Sequence, residues 1–382
     1  MLAENPLLET LCCPVNKSPL RLMDTDGLRQ LNDAIGRSQV MYADGARVTE
    51  PLTGGLATAD GASFYRIQGR IPYLLPDLRI VRAGEKPQSF APPQSPEDAM
   101  LWSTRWGQVS QFWDHIQPPI RPVSQDIRVL EPLAAEAAIR AGGTAPRALL
   151  LGVTPEIAAM RWPAGTQLLA ADSCLAMIHN VWPTNAVAGA VVTLADWFAL
   201  PVCDAAFDLV LGDGSINMLR YPDGFAALGR ETRRVLKDSG VLAIRAFCRP
   251  AQAESVDAIF KDLFERRIGN IDIFNWRLAM ALHRGLHAGT RFGDLWEAWH
   301  PRVPDSAGLM RSLGWPLEAP GEFIEAMRGF DGRMVFPTVT ELSESLAGEF
   351  RQTACHFPEY ETGDRYPTFV FEPNSRAGGS GR

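Results

Sequence analysis

The sequence predicts an α/β protein: an open, mainly parallel sheet with helices on both faces, preceded by a small N-terminal α+β domain. Three observations carry this. Short apolar runs recur at 147–151, 168–171, 190–194, 207–211 and 241–247, the length of buried strands rather than helices. Helical sequence separates them, and such alternation implies a parallel sheet covered on both faces. Two further strand-like segments, 350–357 and 366–372, are joined by a charged turn and read as a terminal hairpin at the end of the sheet.

Taken in order, residues 1–81 form one block with apolar clusters at 7–11 and 67–75. Residues 64–67 and 69–75 read as a hairpin with Gln68-Gly69 in the turn. The stretch 82–96 is a linker, because four prolines fall within 82–97 and few large apolar groups accompany them. Ser95-Pro96-Glu97-Asp98 then opens a helix, with serine as cap, proline in the first turn and acids at the positive helix end. That helix carries Trp102, Trp106, Phe112 and Trp113 and starts a large domain expected to run over 97–373. Helices are expected at 126–141, from 173 to Trp182, and at 223–237, the last reaching its strand through Asp238-Ser239-Gly240. Residues 250–347 interrupt the rhythm with mostly helical sequence rich in Trp and Phe. The tail 374–382, rich in Gly, Ser and Arg, reads as disordered.

Composition removes several classes of function. The chain of 382 residues has 37 basic and 44 acidic side chains, a net charge of −7, and no run of Lys or Arg. A nucleic-acid partner is therefore not expected, since phosphate neutralisation needs a basic surplus. The longest strongly apolar stretches, 148–153 and 186–195, are far below the roughly 18–20 residues that span a bilayer. The N-terminus lacks the basic and apolar regions of a secretory signal. Six scattered cysteines read as reduced thiols of a cytoplasmic protein. His283 and His287 lack a third ligand, so no metal is expected there, and the absence of G-x-S-x-G argues against an α/β-hydrolase.

In an open parallel sheet, ligands bind beyond the carboxyl ends of the strands. Those ends read Gly152-Val153-Thr154, Asp172-Ser173, Asp196-Trp197 and Gly212-Asp213-Gly214. Asp172 follows Gly152 by twenty residues, the separation expected of an acid that accepts hydrogen bonds from ribose hydroxyls. A nucleoside-containing ligand follows. The G-x-G-x-x-G pyrophosphate loop is missing, which argues against a dinucleotide.

At these residues the chain resembles the class I S-adenosylmethionine-dependent methyltransferases. Leu149-Leu150-Leu151-Gly152 stands at the family's first motif, Asp172 at the ribose-binding acid, and Asp196-Trp197 at the acid-plus-aromatic pair that holds adenine. The segment from Asp208 to Gly214 resembles the fourth-strand motif, and Glu231–Lys237 with Gly240-Val241-Leu242 resembles the following helix-to-strand turn. The resemblance implies a Rossmann-like sheet of seven strands with an antiparallel seventh, S-adenosylmethionine as cofactor, and contacts from Gly152, Val153, Thr154, Asp172, Ser173, Met177, Asp196, Trp197, Gly212, Asp213 and Gly214. One departure is Gly152-Val153-Thr154-Pro155-Glu156 in place of Gly-x-Gly-x-Gly.

Residues 7–20 and 60–76 resemble the small Trm112-like zinc-ribbon domain, a partner of methyltransferases that act on tRNA and translation factors. That family holds zinc with a C-P-x-C pair and a later pair. Here Cys13-Pro14-Val15-Asn16 lacks the second cysteine, the later half has none, and no zinc is expected.

Simpler roles stand beside these. Asp172 and Thr154 also read as helix caps, Asp196 as a turn residue, Asp213 and Gly214 as loop-shaping residues, Met177 as core, and Trp102, Trp106 and Trp113 as lid or core. The expected activity is methyl transfer to a small-molecule acceptor, shaped by the Trp-rich helix and the 250–347 insertion. No catalytic residue can be named from spacing, because an in-line transfer needs alignment above all. Asn217, Arg220, Tyr221 and Arg245 are the candidates to face the acceptor. Two rivals are a non-catalytic scaffold of the same fold and an enzyme acting on RNA or a translation protein. A homo-oligomer is left open.

Overall fold

The computed structural model describes residues 5–84, 90–315 and 324–375. Part of the expected linker and nearly all of the expected tail lie outside the described residues.

The N-terminal block builds a small antiparallel sheet from β1 (Leu20–Leu22), β2 (Val40–Tyr42), β3 (Gly55–Thr58), β4 (Phe64–Gln68), β5 (Ile71–Pro72) and β6 (Ile80–Arg82). Its order is β1-β3-β4-β6-β2, with β5 paired to β4. The β4–β5 turn falls one residue later than expected. Ile67 pairs with Pro72 and Gln68 with Ile71, so Gly69 and Arg70 are the central residues, and both have positive φ (+55° and +71°). A tight turn of that kind follows the right-handed twist of its strands, which sets the register.

The large sheet comprises β7 (Arg147–Leu151), β8 (Gln167–Asp172), β9 (Val191–Leu194), β10 (Phe207–Asp213) and β11 (Leu236–Arg245). After a minor pair, β12 (Thr290–Arg291) and β13 (Arg333–Met334), it is completed by β14 (Phe350–His356) and β15 (Thr368–Pro373). Its order is β14-β15-β11-β10-β7-β8-β9, with β15 antiparallel to both neighbours and the rest of the ladders parallel. Counted along the chain within this sheet, the strands lie 3-2-1-4-5-7-6 with the seventh reversed. This is the arrangement the resemblance implied. β11 starts earlier than expected: Leu236 pairs with Phe207 and Val241 with Leu209, so Asp238-Ser239-Gly240 bulges inside the strand.

Helices cover both faces. The helix at Pro96–Val109 starts as expected, Ser95 Oγ accepting from Asp98 N at 3.1 Å, but it ends at Val109, and Phe112 and Trp113 fall on a following 3-10 turn. The insertion is mainly helical, at Val256–Phe264, Ile271–Ala281, Gly293–Trp299, Ser306–Leu313 and Val339–Leu346. Much of it closes around its own aromatic core, including Phe260, Phe274, Trp276, Trp299 and Phe336. Among the described residues, no helix is long and apolar enough to cross a membrane.

The small sheet shares a core with the large one. Leu7, Leu11, Leu56, Tyr65 and Leu74 join Leu149, Leu169, Val202 and Phe207 in one apolar cluster. Leu74 N donates to Leu194 O at 2.7 Å and Thr193 Oγ1 to Pro72 O at 2.9 Å, so the chain after β5 covers the outer edge of β9. Cys12 N donates to Pro201 O, Cys203 N to Thr10 O, and Lys17 Nζ to Leu200 O and Glu231 Oε1.

Candidate functional site

Gly152 directly follows β7 at φ +104°, a conformation that suits glycine. A Cβ there would stand 3.9 Å from Asp172 Oδ2 and 3.9 Å from Trp197 Cζ2, so three of the expected residues meet at one point. Val153 is buried in the core. Thr154 occupies the N-cap of the short helix Pro155–Ala158 without a side-chain hydrogen bond, so the expected capping bond does not form.

Asp172 closes β8, and its Oδ1 accepts from Cys174 N at 2.8 Å. That bond is a local turn to Cys174, which is itself the N-cap of the helix Leu175–Val181, so Asp172 does not cap the helix, and its Oδ2 is turned toward Gly152. Desolvation raises this carboxyl to about 7 against the opposing pull of the Cys174 amide. Asp196, after β9, accepts from Phe198 N at 2.8 Å, and burial raises it to about 6. Trp197 Nε1 donates to Ala171 O at 2.7 Å, which fixes the indole across the end of β8. Ser173 is exposed, whereas Met177 packs in the core beneath, as the simpler reading expected.

Past β10 the glycines have steric reasons. A Cβ on Gly212 would lie 2.5 Å from Ser215 Oγ, and one on Gly214 (φ +62°) 3.0 Å from the Phe247 ring. Asp213 does not face open space. Its Oδ1 accepts from Arg245 Nε at 2.7 Å, with both side chains buried.

Three acceptor-facing candidates are therefore corrected. Arg245 also donates to Pro119 O (2.8 Å) and Ile120 O (2.7 Å), so its guanidinium ties β11 to the segment after the Trp-rich helix. Burial opposes its charge, but Asp213 together with the nearby Tyr360 and Asp126 outweighs it and keeps the guanidinium charged. Asn217 is fully buried, donating to Phe247 O (2.8 Å) and Val335 O (2.7 Å) and accepting from Phe247 N (2.9 Å). Arg220 is exposed and pairs with Asp98 at 3.2 Å, linking the loop after β10 to the Trp-rich helix. Tyr221 stands edge-on to Phe225 and His287.

Beside the strand ends lies a cavity of about 340 Å³ between the Trp-rich segment and the insertion. Trp102, Trp106, Asp272, Trp276, Phe292 and Met334 contribute to its wall. Trp276 packs on Phe247 with ring centroids 5.1 Å apart, and Phe247 lies against Gly214, which connects the cavity to the end of β10. Burial raises Asp272 to about 7, partly offset by the amide of Gln117, which donates to its Oδ2 at 2.9 Å. Sequence reasoning named this region but not Asp272 or Trp276. Their four-residue spacing, which puts both on one helix face, was the available signal. Among the described residues, no group of three or more His, Cys, Asp or Glu is arranged to hold a metal ion.

No family model matches the chain, and no curated protein matches it. Several solved structures are similar. The 1,6-didemethyltoxoflavin-N1-methyltransferase of Burkholderia thailandensis, bound to 1,6-didemethyltoxoflavin and S-adenosylhomocysteine, is 15% identical, covering 75% of this chain and 94% of that one at a TM-score of 0.40. The DhpI complex with S-adenosylhomocysteine is 15% identical, covering 74% and 100%, at 0.40. The N-methyltransferase NodS of Bradyrhizobium japonicum, also with S-adenosylhomocysteine, is 10% identical, covering 66% and 89%, at 0.35.

Proposed function

We propose that this chain transfers a methyl group from S-adenosylmethionine to a small-molecule acceptor. The observation that carries the reading is the convergence of Gly152, Asp172 and Trp197 at one end of a sheet ordered 3-2-1-4-5-7-6, with Asp196 at the next strand end. The donor set suits the cofactor. Asp172 Oδ2 is available to a ribose diol and Asp196 to the exocyclic amine of adenine, and both carboxyls carry raised pKa values that hydrogen-bond donors would relieve. The missing Cβ of Gly152 leaves room for a ligand to approach the backbone.

When bound, S-adenosylmethionine supplies an electrophilic methyl on a sulfonium sulfur. The task left to the chain is alignment: holding the nucleoside by Gly152, Asp172 and Asp196 while the helix at Pro96–Val109 and the insertion orient the acceptor. The N-terminal block acts as a metal-free support for the edge of β9.

One observation favours a scaffold instead. Gly152 is followed by Val153, Thr154 and Pro155, which gives the first strand end one glycine where the methyltransferase motif has three. Titration calorimetry of the whole chain with S-adenosylmethionine separates the two. Binding of one cofactor per chain is expected, and no heat at millimolar cofactor leaves the scaffold.

A further inference from the structure

The cavity beside Phe247 has a graded wall. Its floor is buried, and there Trp102, Phe292 and Trp276 stand edge to face, each neighbouring pair 5.8 Å apart at 86° and 81°. Its mouth is formed by exposed residues, Phe112 and His115 among them, so a ligand can enter from solvent. Two polar groups lie on the same face of the helix Ile271–Ala281. Trp276 Nε1 is buried with no hydrogen-bond partner, and Asp272 receives one backbone amide on Oδ2. A buried donor without a partner is left desolvated, so a ligand that supplies an acceptor gains by relieving it.

We propose that this cavity is the acceptor site and takes a small neutral hydroxyarene of one or two fused rings, whose hydroxyl donates to Asp272 and accepts from Trp276 Nε1. The acceptor role rests on the methyl-transfer reading above; the ligand class does not. A volume of about 340 Å³ sits near the lower end of the ~300–1,000 Å³ of ligand pockets, which limits the occupant to a small molecule. Another ring extends the edge-to-face array already present, an arrangement a saturated skeleton of equal size cannot join. A hydroxyl is both donor and acceptor, matching the two polar groups together. Arg105 and Asp272 bring opposite charges to the same wall, so neither sign of ligand charge is favoured.

The test is calorimetric titration of the whole chain with 2-naphthol, decahydro-2-naphthol and 2-methoxynaphthalene. 2-Naphthol should bind at least tenfold more tightly than either of the others. Asp272→Ala should erase most of its advantage over the methyl ether, and Phe112→Ala, at the exposed mouth where folding is not at risk, should weaken it severalfold. Equal affinity for the aromatic and saturated alcohols, or unchanged 2-naphthol binding in both variants, overturns the proposal. A parallel titration with S-adenosylhomocysteine separates the two readings: 2-naphthol binding in a chain that ignores S-adenosylhomocysteine keeps the ligand class and overturns the acceptor role.

Discussion

Arg245 Nε donates to Asp213 Oδ1 at 2.7 Å in a place where both side chains are buried, and the remaining guanidinium nitrogens reach the carbonyls of Pro119 and Ile120. The pair joins the ends of β10 and β11 to the segment that borders the cavity. Replacing Arg245 by Met strands a buried carboxylate and two carbonyls. A loss of about 3–5 kcal/mol in urea unfolding is expected, as for other broken buried pairs. Combining it with Asp213→Leu should cost clearly less than the sum of the single changes. Additive costs would show that the two side chains are not coupled.

Asn217 and Arg220 lie on one short loop with opposite burial. Asn217→Ala removes three hydrogen bonds to buried backbone and should cost about 2–4 kcal/mol, at roughly 1 kcal/mol or somewhat more per bond. Arg220→Ala removes an exposed ion pair and should change stability by less than about 0.5–1 kcal/mol. Denaturant melts of the two variants give the ranking directly. A reversed order would contradict a structural role for Asn217 and a peripheral one for Arg220.

These two residues also mark where sequence reading stops. Strand ends were legible because Gly and Asp punctuate short apolar runs: Gly152 directly follows β7, Asp172 ends β8 and Asp196 lies just past β9. Asn217 and Arg245 stood near the right ends, but their partners are Val335 and Ile120, 118 and 125 residues away, a relationship no local pattern encodes. The shared core of Leu11 and Val202 was hidden for the same reason: the linker composition suggested separate units. The cavity depends on Trp102 and Trp276 meeting Phe292, again across long separations.

The N-terminal block should fold without zinc. Tetrahedral zinc takes about four Cys or His ligands, and residues 1–81 supply only the vicinal pair Cys12 and Cys13. Cys13 Sγ lies 3.1 Å from the Tyr65 hydroxyl, inside the shared core. Elemental analysis of purified protein should find zinc well below stoichiometric, and a strong chelator should leave the melting temperature unchanged. Stoichiometric zinc whose removal unfolds the block would reverse this.

Asp172 makes the sharpest test of the cofactor site. Its carboxyl is raised to about 7 in the folded chain, against ~3.9 when unfolded. The folded state therefore holds the proton more tightly. Its contribution to stability is complete below about pH 4 and is lost as pH rises through about 7. Asp172→Asn carries no such loss, so it should gain on the wild type in urea unfolding between pH 4 and pH 8. Cofactor binding runs the other way, because a ribose diol donates best to the ionised carboxylate. S-Adenosylmethionine affinity should climb as pH approaches 7 and then level off, and the Asn variant should be flat over the same range. At pH 8, Asp172→Ala should weaken binding by about 1.5–3 kcal/mol, ten- to a hundredfold, with Asn between Ala and wild type. Calorimetry on the three proteins at pH 6 and pH 8 measures all of this. Equal affinities without pH dependence would reduce Asp172 to the turn acceptor of Cys174 N and leave the scaffold reading as the better account.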